Sequence, residues 1–348
     1  MAARLTHQKP RLSWLSLPPE IRSMILDRLS TKTDVYARVC QEWRTFFEKR
    51  NFSHLKLSPS CLDFLSQLTE DRIVLVDHVW LNIELNRYTC RSCRKDESVT
   101  CTLLNNRIIV EAVTRLFSVL AKWDHKRRLT LELNAYSPSD LKHWFKDCYF
   151  GGPDEDKYSV VAKSQEIHDP QHGYWHGRII ESPPDRALAR PFVPCDSIRF
   201  ERREELPVVK AVTKFLLRRQ CRRQLHPFAL AQLWTKLPRL EEIFYEPWQL
   251  LEGVSQSPQD RFYEKMITEQ LPRSINKITI FEDFNENYLD LFQLFRTEYP
   301  LGYPDRIRKA SSGLGSAFAA RSRDLEHLSV AFLINADHFF GALEPNWR

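Results

Sequence analysis

A chain of 348 residues with 43% hydrophobic and 12% aromatic residues can build a sizeable core, and its 28% charged residues are ordinary for a folded protein. Nine glycines, with neither GxxxxGK[ST] nor GxGxxG among them, argue against nucleotide chemistry, because phosphate cradles need backbone N–H groups at close approach. The net charge of +6 is only mildly basic, no apolar stretch approaches the ~18 residues of a membrane-spanning helix, and eight scattered cysteines make no compact secreted framework.

In chain order, residues 1–13 are basic, lack the apolar segment of a secretory signal and read as a flexible tail. The chain is therefore expected to be reduced and intracellular, in the cytoplasm, the nucleus or both. Leu17-Pro18-Pro19-Glu20-Ile21 then sets two prolines where a helix begins, with Glu20 favourable to the helix dipole in the first turn. Ile21, Met24, Ile25 and Leu29 follow at i, i+3, i+4 and i+8, one apolar face of a short helix. After the polar link Ser30–Thr33, Val35, Val39, Trp43 and Phe46-Phe47 recur along a second helical face. Periodicity leaves open whether that stretch is one helix or two. Some forty residues cannot bury all these apolar groups among themselves, so Leu17-Pro18 marks a candidate docking surface.

Leu17-Pro18-Pro19-Glu20-Ile21, then Ile25 and Leu29, then Val39-Cys40-Gln41-Glu42-Trp43, resembles an F-box over residues 14–56: Leu-Pro-x-Glu-Ile, a hydrophobic helix, then Val-Cys-x-x-Trp. Many F-boxes carry Asp-Leu between the halves; here the nearest pair is Asp34-Val35. The resemblance implies that Leu17, Pro18, Ile21, Ile25, Val39 and Trp43 lie at or under the surface that grips a Skp-family adaptor and, through it, a cullin. It also implies a non-catalytic subunit that recruits a protein target to an SCF-type ubiquitin ligase.

Residues 57–348 alternate strand-like and helical runs, an α/β pattern. Strands are expected at Val76-x-x-Val79-x-Leu81, Leu129-x-Leu131-x-Leu133, Cys195-x-x-Ile198-x-Phe200, Leu240-x-x-Ile243-x-Tyr245, Ile275-x-x-Ile278-x-Ile280 and Leu325-x-x-Leu328-x-Val330. Helices are expected from Ile109 to Trp123, Val208 to Arg219, Phe262 to Gln270 and Tyr288 to Phe295. Leu237-Pro238 and Leu271-Pro272 each precede a strand, so helix, Leu-Pro turn and strand form a recurring unit. The alternation resembles an irregular leucine-rich-repeat array with units longer and less even than usual; a mixed α/β domain without a solenoid is the alternative. Segment 151–194 is turn-rich and polar, a long loop or insertion. With His78-Val79-Trp80-Leu81, Leu131–Asp140 and Asp337-His338-Phe339-Phe340, the chain resembles a group of F-box proteins expanded in filamentous fungi. Such relatives continue past the equivalent of Pro345-Asn346-Trp347, which implies a shortened C-terminus here.

Three features point to other chemistry. Cys90-Arg91-Ser92-Cys93, with Cys101 beyond, resembles half a zinc site; no second CxxC or HxxxH completes it, although His78 or Cys61 could do so through the fold. Ordinary reduced cysteines in a turn are the plainer reading, and no cofactor is expected. His168, His172 and His176 are spaced by four, but Pro170 and Gly173 between them oppose a shared helix. Arg218-Arg219-Gln220-Cys221-Arg222-Arg223 is either a solvated helix face or a nucleic-acid patch. The rivals to a recruiting subunit are thus a basic nucleic-acid-binding module and a metal-dependent enzyme built on the Cys and His clusters.

Overall fold

The computed structural model describes residues 13–29, 33–124, 126–146, 168–181, 205–249, 253–282 and 311–343, with shorter stretches between 183 and 200. The chain divides into two compact units, Met1–Leu55 with Thr69–Val76, and Lys56–Leu68 with Asp77–Arg348.

The first unit is helical. Pro18 and Pro19 open α1 (Pro19–Arg28), with Glu20 in its first turn and Arg28 in its last, charges that suit the two ends of the helix dipole. The second helical stretch is broken by a turn at Arg38 and Val39 into α2 (Thr33–Tyr36) and α3 (Gln41–Ser53). Trp43 stands with its ring centroid 5.1 Å from Trp14, 5.9 Å from Tyr36 and 6.1 Å from Phe47. This edge-on aromatic group, with buried Leu26, is the centre of the unit. Glu42 fastens it, accepting from Trp14 Nε1 at 2.8 Å and pairing with Arg22 at 3.3 Å.

The second unit is built on a seven-stranded sheet. The sheet contains β1 (His54–Leu57), which begins in the last residues of the first unit's opening segment, β2 (His78–Glu84), β3 (Leu129–Tyr136) and, past two short pairs, β7 (Val212–Leu217), β9 (Glu242–Tyr245), β10 (Lys277–Phe281) and β11 (His327–Ala331). The short pairs are the hairpin β4 (Tyr174–Trp175) with β5 (Arg178–Ile179), and the parallel pair β6 (Pro194–Cys195) with β8 (Gln224–Leu225). In the large sheet the strands lie in chain order, and every pair from β2 through β11 is parallel. Parallel neighbours need long crossovers, which explains the helices between them. After α4 (Leu62–Ser66) and α5 (Glu70–Ile73), the latter in the helical unit, α6 (Val99–Leu120) links β2 to β3. It buries Ile109, Ala112, Val113, Leu116, Phe117 and Leu120, an apolar stripe at helical spacing. α7 (Pro227–Thr235) precedes β9, and α8 (Gly253–Lys265), extended by a π-helical turn Met266–Gln270, precedes β10. α9 (Ser312–Ser322) precedes β11, and α10 (Ala336–Gly341) follows it. The expected helix, Leu-Pro turn, strand unit is present twice, before β9 and before β10.

Two sequence expectations need correction. The stretch from Val208 to Arg219 holds no helix; it contains β7, a central strand between β3 and β9. Its buried residues form a nearly continuous run because both faces are covered, and such a run satisfies helical spacing by accident. Of the run Cys195-x-x-Ile198-x-Phe200, Cys195 lies in the short strand Pro194–Cys195, paired with β8 outside the large sheet, and among the described residues of the run no further strand is present. α7 was not anticipated: it is buried almost all round and has no polar stripe to announce it. The helix expected at Ile109 starts ten residues earlier, at Val99, where the Ser98 hydroxyl accepts from Cys101 N–H as an N-cap. The helix expected from Tyr288 to Phe295 and residues 151–167 of the long loop lie outside the described residues.

Candidate functional site

In the helical unit, the residues of the expected adaptor surface separate into two groups. Trp43 and Leu17 are half-buried, and Trp43 belongs to the aromatic core. Pro18, Ile21, Ile25 and Val39 are exposed, Ile21 to 42% and Val39 to 59%. Ile21, Met24 and Ile25 share one face of α1, and Leu15 and Val35 are exposed as well. Isolated exposed apolar residues are normal, but this many in so small a unit form an apolar surface that water does not favour.

In the sheet unit, polar chemistry collects on the segments that leave the carboxyl ends of β2 and β3, the end where open parallel sheets characteristically place ligands. The two segments are laced together. Ser139 Oγ accepts from Tyr88 N–H and donates to Tyr88 O, each at 2.9 Å, and Ser137 Oγ donates to Asn86 O at 2.8 Å. Tyr88 Oη donates to buried Asp140 at 2.8 Å. Burial raises the Asp140 carboxyl, opposed by the Tyr88 hydrogen bond and the charge of Arg223; burial, then the Asp140 charge, raises the Tyr88 phenol. Buried Arg190 lies over the Tyr88 ring at 4.3 Å and donates to the carbonyls of Ser92, Lys95 and Asp96, fixing the loop that carries Cys90 and Cys93.

This scaffold brings the neighbouring Cys90 and Cys93 together with two residues far away in sequence, His143 and His172. Cys90 Sγ is 3.5 Å from His143 Nδ1, His143 Nδ1 is 3.2 Å from His172 Nε2, and Cys93 Sγ is 3.6 Å from the same His172 nitrogen. The Cys90, His143 and His172 donor atoms all lie within 4.8 Å of one another. Cys93, His143 and His172 are buried and Cys90 is exposed. His172 arrives on a hairpin whose His176-Gly177 turn has both residues at positive φ, the requirement of a two-residue type I′ connection. Its Nδ1 bonds to Asp169 Oδ2 at 2.7 Å, and Lys146 pairs with the same carboxylate oxygen. Burial opposes the Asp169 charge, yet the hydrogen bonds from Lys146 and His172 hold its carboxyl below the ordinary value. Burial pushes the His143 imidazole down and the Cys93 thiol up; the Trp144 indole and the cations Arg94 and Arg190 favour a charged Cys93 sulfur. Trp144, Phe145, Ala187 and Phe192 pack with Cys93 into a second apolar core beneath the cluster.

The partners foreseen for the Cys90–Cys93 pair are not those the fold supplies. Cys101 sits in α6 with its sulfur 3.8 Å from Asn105 Nδ2, Cys61 Sγ is 3.3 Å from Ser58 Oγ, and His78 Nε2 lies 3.0 Å from Glu132 in the sheet. His168 and His176 group instead with Trp175, their ring centroids 4.6 Å from each other. His143 carries no sequence signal, standing alone in Asp140-Leu141-Lys142-His143. The basic run is not a helix face: it forms the turn between β7 and β8, where Arg218, Arg219 and Arg223 pair with Glu132, Glu246 and Glu97.

Among the described residues no helix is long and apolar enough to cross a membrane. Residues 270–348, which carry β10, α9, β11 and α10, are similar to a family of unknown function, DUF6546. No curated protein and no solved structure matches the chain.

Proposed function

We propose that the chain is a non-catalytic, substrate-recruiting subunit of F-box type, with the helical unit binding a Skp-family adaptor of a cullin-based ubiquitin ligase and the sheet unit holding a protein target. The observation that carries the reading is the division within the helical unit. Trp43, Tyr36 and Phe47 form its core, while Pro18, Ile21, Ile25 and Val39 of the F-box-like pattern stay open to solvent. A helical unit this small cannot enclose all of its apolar residues by itself, and a partner that covers them supplies the missing burial. Parallel strands laid out in chain order with helices between them support an irregular repeat-like array, whose extended face suits a protein ligand. The contribution to ubiquitin transfer is then proximity, holding the target's lysines near the charged carrier.

The test is co-expression of the full chain with a Skp-family adaptor followed by pull-down. Wild type is expected to bind. Leu17→Ala with Pro18→Ala, and separately Ile25→Glu, should weaken capture at least tenfold, since central interface anchors are typically worth ~2 kcal/mol or more. Binding left intact by both variants, or absent in the wild type, would reject the adaptor surface.

A basic nucleic-acid module is less well supported, because the arginines that would serve it are paired with carboxylates of the same fold.

A further inference from the structure

We propose that Cys90, His143 and His172, with Cys93 as the fourth donor, form a structural site for a tetrahedral divalent d-block cation, with zinc the best match. The site lies in the sheet unit, and the inference does not depend on the adaptor role.

Three of the donor spacings already match edges of a coordination tetrahedron. Zinc–nitrogen bonds of about 2.0–2.1 Å and zinc–sulfur bonds of about 2.3 Å place two nitrogens about 3.3 Å apart, and a sulfur about 3.5–3.6 Å from a nitrogen. The corresponding distances here are 3.2 Å between the histidine nitrogens and 3.5 and 3.6 Å from sulfur to nitrogen.

The tautomers add a second argument. His143 Nε2 bonds to the Tyr88 carbonyl at 3.4 Å, and a carbonyl can only accept, so this nitrogen carries the ring proton. His172 Nδ1 faces the Asp169 carboxylate at 2.7 Å and carries its proton likewise. The remaining nitrogens, His143 Nδ1 and His172 Nε2, therefore confront each other with lone pairs at 3.2 Å in a buried setting. The hydrogens within reach of these lone pairs are those of the Cys90 thiol at 3.5 Å and the Cys93 thiol at 3.6 Å, both weak donors. A cation satisfies both.

The surroundings are those of a supported metal site. Metal-bound histidines characteristically donate their second N–H to a carboxylate or a backbone carbonyl, and both forms occur here. Two thiolates with two imidazoles select zinc over magnesium or calcium, which prefer oxygen donors. Cys93 Sγ now leans on the Cys90 carbonyl at 3.3 Å and must rotate away from it to complete the tetrahedron. Coordination converts both thiols to thiolates, with their protons released to solvent. The product is a staple joining the segment after β2, the segment after β3 and the β4–β5 hairpin, where hydrogen bonds otherwise do the joining.

Elemental analysis of the full chain purified without chelator should give stoichiometric zinc. Exchange for cobalt(II) should produce the visible d–d bands and sulfur-to-cobalt charge transfer of a tetrahedral site. His172→Ala and Cys93→Ser should bring zinc to background, whereas Cys101→Ser, outside the cluster, should retain it. Chelation of the wild type should lower its melting temperature. Only trace metal in the wild type together with a featureless cobalt titration overturns the proposal, whether or not the variants fold. Full zinc retention by Cys93→Ser overturns the four-donor assignment.

Discussion

Arg223 Nη2 lies 2.5 Å from Glu97 Oε2, and the two side chains are only 4% and 1% exposed. The pair ties the turn after β7 to the residue just ahead of the α6 cap, and Asn105 Nδ2 donates to the other Glu97 oxygen at 2.5 Å. Enclosing two charges is costly, and their attraction roughly offsets the loss of hydration; removing one partner leaves the other charge buried alone. Arg223→Ala should therefore destabilise the protein by about 3–5 kcal/mol. Arg223→Met combined with Glu97→Leu should recover most of that loss. Urea unfolding of wild type and both variants decides the matter: a double variant as unstable as the single one would contradict the account.

The helical unit offers a contrast between core and surface. Phe47 is wholly buried against Tyr36, Trp43 and Phe46, so Phe47→Ala should cost about 3–5 kcal/mol through lost burial and a cavity. Ile25 faces solvent, and Ile25→Ala should change stability by no more than about 0.5 kcal/mol. Thermal unfolding of the full chain separates the two. A large loss for Ile25→Ala would mean that the open face is structural rather than available to a partner.

Much of this architecture was legible in the sequence, and the failures have definite causes. β2, β3, β9, β10 and β11 all overlap the expected runs, in which apolar and polar residues alternate. β7 and α7 were misread or missed because burial on every side erases the alternation on which period-reading depends. The Cys90–Cys93 half of the metal cluster was visible as a spacing, since both residues sit on one turn. His143 was not, and His172 stood out only by its spacing from His168 and His176, because both meet the cysteines only when the segments after β2 and β3 and the hairpin are brought together. Spacing in sequence reports local geometry, and this cluster is made by long-range topology. Trp43 and Phe47 of the aromatic core lie on the helical face that the sequence pattern marks, whereas Trp14 and Tyr36 join them only in the fold, as does the division between buried Phe47 and open Ile25.

Glu282 should impose a pH dependence of its own. It follows β10, its backbone N–H donates to Ala331 O at 3.1 Å, and burial pushes its carboxyl up to about 8 from an ordinary 4.5. A raised acid pKa means that the folded state holds the proton more tightly than the unfolded chain. The contribution is undiminished below about pH 4.5, declines as pH rises towards 8, and changes no further above that. Glu282→Gln keeps the shape without the charge, so it should become progressively more stable relative to wild type between pH 5 and 8, by an amount on the order of a few kcal/mol. Parallel stability profiles for the two proteins over that range would refute the assignment.

Gly173 is the residue on which delivery of His172 depends. Its φ is +80°, and a Cβ built there would lie 2.1 Å from the Glu181 carbonyl oxygen, a backbone atom that cannot swing aside. The Gly173 carbonyl also accepts from Ile180 N–H at 2.8 Å, so relieving the clash means opening the base of the β4–β5 hairpin. Gly173→Ala should accordingly cost about 1–3 kcal/mol from the left-handed backbone alone, with the clash in addition. The consequence reaches one residue back, because the His172 ring is held by Asp169 at 2.7 Å and must keep its nitrogen 3.2 Å from His143. Gly341→Ala is the natural comparison: a Cβ there meets nothing within 4 Å, at the end of α10, and stability should change little. Thermal melts of the two variants, read beside their zinc content, separate the backbone effect from the site. Gly173→Ala should lower both quantities and Gly341→Ala neither, and a Gly173→Ala protein that melts like wild type would show that the hairpin is not anchored in this way.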